Sequence, residues 1–218
     1  MDSLGPTLTN ILSDHLSGKP IERGLWQNLD DRDRLQLSEA IVAGRSGTGN
    51  EVRIFSYDTQ WPYEFARIAQ EVRAQVGGLV VSIEHVGSTA VPGLAAKPII
   101  DIELVIACAY QFPPVKERLE KFGYIHRGPF GVPDREVFRC VIDLPVHHLY
   151  VSETDARPLR EHVRFRNALR QNPELAAEYA TLKRALADRY RHDREGYTEA
   201  KTGFIRSVID EPPNVGSA

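Results

Sequence analysis

Between positions 100 and 106 the chain alternates. Ile100, Ile102, Leu104 and Ile106 fall on one side of an extended strand, and Asp101 and Glu103 fall on the other. This predicts a strand with one face built for a core and the other carrying two carboxylates. Apolar positions at helical spacing (Phe65, Ile68, Ala69, Val72) predict a helix over 62–76, followed by a strand over 79–85. A short strand over 52–56 precedes them. Downstream, Val115, Leu119 and Phe122 predict a helix over 113–122 that Gly123 stops. Strands over 136–142 and 146–151, joined at Asp143-Leu144-Pro145, read as a hairpin. Helices follow over 158–170, from Asn172-Pro173 to about Tyr190, and over 197–209, where Phe204, Ile205, Val208 and Ile209 share a face. Strands first and helices last predict an α+β fold with a helical C-terminal part.

Residues 1–50 read as a helical N-terminal extension and linker. Leu8, Ile11, Leu12 and Leu16 predict one helix, closed by Gly18-Lys19-Pro20. Leu35, Leu37, Ile41 and Val42 predict a second over 30–42, and 44–50 reads as a flexible connector. Two short helices bury little by themselves, so the extension is expected to dock on the main domain, 51–211, or to make a homo-oligomer by docking on a second subunit. Residues 212–218 read as a flexible tail.

Composition narrows the partners. The chain has 218 residues, 42% of them hydrophobic, and a formal net charge of −3. A net negative chain lacks the basic field that coating a nucleic acid requires. No apolar run is long enough to span a bilayer, and the N-terminus lacks a basic segment followed by an apolar one, so no membrane partner and a cytoplasmic location are expected. Cys108 and Cys140 lie in apolar, strand-like runs and are expected to be buried free thiols.

The chemistry centres on Val86-Gly87-Ser88, with twelve residues between it and Asp101. A Gly-Ser turn offers backbone N–H groups and the hydroxyls of Ser88 and Thr89 to phosphates, while paired carboxylates with substrate phosphates match the oxygen ligands that magnesium takes. Asp101 and Glu103 are therefore the candidate metal ligands, for Mg²⁺ or for Mn²⁺ in its place, and are expected together on an open cleft. Gly87, Ser88 and Thr89 are the candidate phosphate contacts, joined by Lys97 from the intervening loop. Lys201, between Tyr197 and Phe204 on an apolar helix face, needs an anionic partner from the protein or a ligand. His147 and His148 are adjacent and so face opposite ways on a strand; His148 is the candidate auxiliary ligand or base, with Tyr150 on its side. His85 is expected to brace the turn, and Arg166 and Arg170, one helical turn apart, to form a solvated face or a cleft edge.

The run from Ile83 to Ile102, Ile-Glu-His-Val-Gly-Ser-Thr-Ala-Val-Pro-Gly-Leu-Ala-Ala-Lys-Pro-Ile-Ile-Asp-Ile, resembles the signature of the GrpB family. Tyr57-Asp58, Trp61-Pro62 and Phe65 agree upstream, as do Gly123-Tyr124, the block from His147 to Val151, and Tyr197, Lys201 and Phe204 downstream. The resemblance runs from about Tyr57 to Ile209. It implies a nucleotidyltransferase-like fold, a mixed sheet flanked by helices, with a metal and nucleotide site. On that basis the expected partners are a nucleoside triphosphate and an unknown small-molecule or protein acceptor, the expected reaction is metal-dependent nucleotidyl transfer, and the alternative is a non-catalytic nucleotide- or ligand-binding module on the same fold. One departure bears on this choice. The family pattern carries histidine where this chain has Tyr150, and the neighbouring strand that would bring a third carboxylate offers His148 and Tyr150.

Overall fold

The computed structural model describes residues 5–44 and 51–210. Five strands form one mixed sheet in the order β1-β2-β5-β4-β3: β1 Ser82–Val86, β2 Ile100–Ile106, β3 Tyr124–His126, β4 Glu136–Cys140 and β5 His147–Glu153. β2 pairs antiparallel with β1 and parallel with β5, and β4 runs antiparallel to both β5 and β3. The expected hairpin is therefore present as β4 and β5. The fold is α+β, as the pattern of elements predicts.

Each sheet face finds a different cover. Ile100, Ile102, Leu104, Leu149 and Phe138 are buried against α4 (Trp61–Val76) and α5 (Phe112–Phe122), which contribute Ile68, Val72, Val115 and Leu119 to the same core. The N-terminal segment adds three helices to this side: α1 Pro6–Leu16, α2 Arg23–Asn28 and α3 Asp31–Gly44. α2 was not legible, because six residues give too little periodicity, yet its Trp26 is fully buried and donates Nε1–H to the Glu120 carbonyl at 2.8 Å. Ile21 bridges to Ile142, and Leu37 and Ile41 join the core. The extension is thus docked on the main domain. Leu35, expected on the buried face, is exposed, because α3 turns Leu37 and Ile41 inward instead.

The opposite face of the sheet is half covered by α6 (Arg157–Gln171), whose Leu159 packs with Val105. α7 (Pro173–Arg189), α8 (Arg194–Ala200) and α9 (Thr202–Asp210) complete the helical part. Several expectations need correction. The strand over 52–56 is reduced to a single bridge, Phe55 with Ala96, because its partner is a Pro- and Gly-bearing loop that offers no ladder. β1 begins at Ser82, since Gly77–Leu79 closes as a short helical turn. The last helix is two, broken after Ala200. β3, whose three residues are too few to show a period, forms where Gly123 leaves α5 at φ 138; a Cβ there would lie 2.6 Å from Ile142. Cys108 is free but exposed, just past the end of β2, and Cys140 is free and half-buried. Of the connector expected over 44–50, Gly44 belongs to the end of α3, and 45–50, like the tail over 212–218, lies outside the described residues. Among those described, no helix is long and apolar enough to cross a membrane.

Candidate functional site

Strand register decides what meets Asp101. Val86, Asp101 and His148 are in line across β1, β2 and β5, and Glu84, Glu103 and Tyr150 form the next line. Between β1 and β2 the chain makes the Gly-Ser turn. Gly87 has φ 71, and a Cβ on it would lie 2.3 Å from Asp101 Oδ2, so glycine is required both by the backbone and by the closeness of the carboxylate. Sequence-local turn chemistry and the strand register together thus press the turn against Asp101. His148 donates from Nδ1 to Asp101 Oδ1 at 2.9 Å, and Arg194 approaches the other ring nitrogen at 3.4 Å. Burial pushes the Asp101 carboxyl up, but the His148 hydrogen bond with the charges of His148, His162 and Lys201 outweighs it and holds the group below the usual carboxylate range.

Glu103 does not share that cleft. Its side chain is 0% exposed, Oε2 accepts from the Ser152 hydroxyl at 3.1 Å, and Oε1 pairs with His162 Nδ1 of α6 at 2.6 Å. The expectation of two carboxylates side by side on an open surface is therefore corrected: α6 lies over the second one. Asp101 keeps 29% of its side chain exposed. Among the described residues no group of three or more His, Cys, Asp or Glu side chains could hold a metal ion.

The turn is braced from behind. His85 stacks on Phe65 at 4.6 Å and bonds Thr89 Oγ1 at 3.0 Å; burial drops its pKa to about 4, so it braces as a neutral ring. Thr89 is buried, with its hydroxyl engaged by His85, and it borders the cleft beside Ser88. Arg166 binds Glu84 and the His85 carbonyl, and Arg170 donates twice to the Ala90 carbonyl. These two arginines hold the turn's outer side.

From the front, α7 supplies a residue that the sequence reading missed. Lys183 is 2% exposed, donates to Ser88 Oγ at 2.9 Å and bonds the Ala95 carbonyl. A signal existed: Ala176, Tyr179, Ala180, Lys183 and Ala187 share one helical stripe, so a lysine interrupts an apolar face as Lys201 does. Lys201 and Lys97 both lie against the Tyr197 ring, 4.4 and 5.1 Å from its centroid. Burial, then the nearby cations, lower all three amines: Lys183 to about 7, Lys201 to about 8, and Lys97 below its ordinary value.

These groups line a cleft of about 1000 Å³ between the sheet and the C-terminal helices. Ser88, Lys97, Asp101, His148, Lys183 and Lys201 are all on its wall. Seven lining side chains are lysine or arginine and three are acidic. His147, facing the other way, is sealed in the core between the Tyr124 hydroxyl and the Pro145 carbonyl.

Against known proteins, the family model described as "GrpB protein" matches residues 51–211. Glutamate-rich protein GrpB of Alkalihalophilus pseudofirmus is 32% identical over 74% of this chain and 95% of its own length. The crystal structure of conserved protein GrpB from Enterococcus faecalis superposes with a TM-score of 0.66 at 31% identity, covering 72% of this chain and 95% of that one. Other relatives are longer: the chain spans 46% of UPF0157 protein YqkA of Bacillus subtilis, at 29% identity over 72% of this chain. It spans 45% of a dephospho-CoA kinase of Mycolicibacterium paratuberculosis, at 27% identity over the same share. With a family model matched across the whole sheet and its C-terminal helices, and with a fold shared by a solved member at 31% identity, this chain belongs to the GrpB family.

Proposed function

We propose that the chain binds a nucleoside triphosphate by its phosphates in the cleft beside Gly87 and Ser88, as a ligand-binding module on a nucleotidyltransferase-like fold. The observation that carries the reading is charge. A chain of net charge −3 gathers seven lysines and arginines against three acids in one cleft. Three of the lysines have their pKa values lowered by burial and then by neighbouring lysine or arginine charges, so an arriving polyanion offsets repulsion among the cleft's cations. The relative named dephospho-CoA kinase supports a nucleotide-type ligand, although the shared segment is less than half of that protein.

Magnesium, or manganese in its place, is the ion the sequence pattern implies. The residues do not fit a two-carboxylate centre, because both Glu103 oxygens are engaged by His162 and Ser152 and the side chain is sealed from the cleft. Asp101 is the member of the pair that reaches a ligand there. A second reading, nucleotidyl transfer to a small-molecule or protein acceptor, is favoured by the contact of Asp101 with the Gly87 turn and by the His148 attached to it. It requires Glu103 to leave its partners.

Calorimetry of the full chain with ATP, in EDTA and in Mg²⁺, separates the two, together with a search for label transferred from ATP. The binding-module reading expects ATP to bind in EDTA with no label transferred. The transferase reading expects binding that depends on Mg²⁺ and falls with Glu103→Gln. Absence of ATP binding in both buffers refutes both.

A further inference from the structure

The cleft has a second end with different chemistry. Residues 127–135 connect β3 to β4, and Phe130, near the tip, lines the same cleft as Ser88 and Asp101. The residue is 68% exposed, and its backbone is left-handed at φ 48. Both features are unfavourable for a phenylalanine. The bulky side chain clashes with a left-handed backbone, and an aromatic ring held in water forgoes the burial that makes such a residue useful. Strained backbone of this kind persists only where surrounding structure imposes it.

Surrounding structure does impose it. The loop is pinned by Arg127 N–H to the Val137 carbonyl at 2.8 Å, by Val137 N–H to the Gly128 carbonyl at 2.9 Å, and by Val132 N–H to the Pro129 carbonyl at 3.0 Å. Gly128, Gly131 and Asp134 share the left-handed conformation. The chain is therefore bent tightly, and the ring is presented at the cleft wall by a fixed loop. The Arg127 guanidinium sits 5.9 Å from the ring centroid, which leaves most of the ring open.

The spacing suits a ligand with two unlike ends. Asp101 is on β2 and the loop leads into β4, two strands away across β5; because Asp101 pairs with His148 while Glu136 pairs with Val151, the start of β4 lies about 10 Å across the sheet and about 10 Å further along the strands, at the usual strand spacing and rise. The phosphate end holds Ser88, Lys97, Lys183 and Lys201. The far end offers an aromatic plane beside an arginine, which is what single nucleotide bases stack on whatever their edge pattern. We propose that Phe130 is the stacking platform for the base of the nucleotide whose phosphates lie at Gly87 and Ser88, and that it makes the site prefer a purine nucleotide to phosphate alone. This inference rests on the nucleotide-binding reading above.

Calorimetry on the full chain tests it with three ligands, ATP, CTP and inorganic tripolyphosphate, on wild type, Phe130→Ala and Phe130→Trp. Wild type should bind ATP about tenfold or more tightly than tripolyphosphate, with CTP between them. Phe130→Ala should erase that difference and leave tripolyphosphate affinity and the melting temperature as they are, while Phe130→Trp should restore the preference. Equal wild-type affinity for ATP and tripolyphosphate overturns the stacking role and leaves phosphate binding intact. So does an ATP preference that survives Phe130→Ala. A loss of tripolyphosphate affinity in Phe130→Ala equal to the loss of ATP affinity assigns the loop a structural role and likewise overturns the proposal. Wild type that binds none of the three ligands defeats the nucleotide reading itself, and the platform with it.

Discussion

Lys183 allows the charge argument to be tested without any ligand. The residue is 2% exposed, and burial lowers its pKa from the ordinary 10.5 to about 7. A lysine whose folded pKa is depressed binds fewer protons in the folded than in the unfolded chain between those two values, so stability rises with pH across that window. Below about pH 7 the penalty is present in full, on the order of 5 kcal/mol at about 1.4 kcal/mol per pKa unit. By pH 9 roughly half of it is recovered. In Lys183→Met the charge is gone while the stem's bulk is kept. The variant leaves Ser88 Oγ and the Ala95 carbonyl without this donor, at a cost of about 1–3 kcal/mol that does not vary with pH. Lys201 stays in both proteins, so the difference between them reports Lys183 together with its repulsion from Lys201. Urea unfolding at pH 6.5, 7.5, 8.5 and 9.5 should show wild type gaining about 2 kcal/mol or more relative to the variant across the range. Phosphate binding should show the opposite trend. A bound polyanion favours the protonated amines, so wild-type affinity for tripolyphosphate should fall as pH rises from 7 to 9, and fall less steeply in Lys183→Met. Parallel stability curves for the two proteins would refute the claim that Lys183 is held as a costly buried amine.

Other residues carry equally definite expectations. His162→Ala removes one of the two hydrogen-bond partners of the fully buried Glu103 and should cost about 1–3 kcal/mol in chemical unfolding, as leaving a buried polar group unsatisfied does; an unchanged midpoint would free Glu103 for the metal role. Gly87→Ala meets a left-handed φ of 71 and the Asp101 carboxylate at once, so it should lower the melting temperature and abolish ATP binding, and a crystal structure showing Asp101 in place with wild-type affinity would contradict that. Trp26→Ala empties a fully buried site and strips a hydrogen bond from Glu120, which should destabilise by about 3–5 kcal/mol; a variant melting with wild type would mean that the N-terminal helices are a passive arm.

Much of the molecule was readable from periodicity and turn chemistry, because both are local. The alternation in β2 placed Ile100, Ile102 and Leu104 in the core and Asp101 and Glu103 on the other face. The opposite facing of His147 and His148 followed from the two-residue repeat, and the structure seals one in the core and sets the other on the cleft. The stop at Gly123 and the break at Gly87 needed only the backbone freedom that glycine has. The apolar faces of α1 and α3 announced that the extension must pack on something.

What the chain's local pattern could not decide was which distant element would cover each face. Asp101 and Glu103 have the same strand, the same face and the same charge, and sequence gave no reason to treat them differently. Their fates diverge because α6, some sixty residues later, brings His162 over one and leaves the other at the cleft. Lys183 and Ser88 meet across 95 positions, and the pairing of β2 with β5 across an intervening β3 and β4 fixes His148 on Asp101. Periodicity records only that a side chain is to be buried or wetted. Partner identity is set by strand order and helix docking, which arise from the summed packing of the whole core and leave no signature in any short window of the chain.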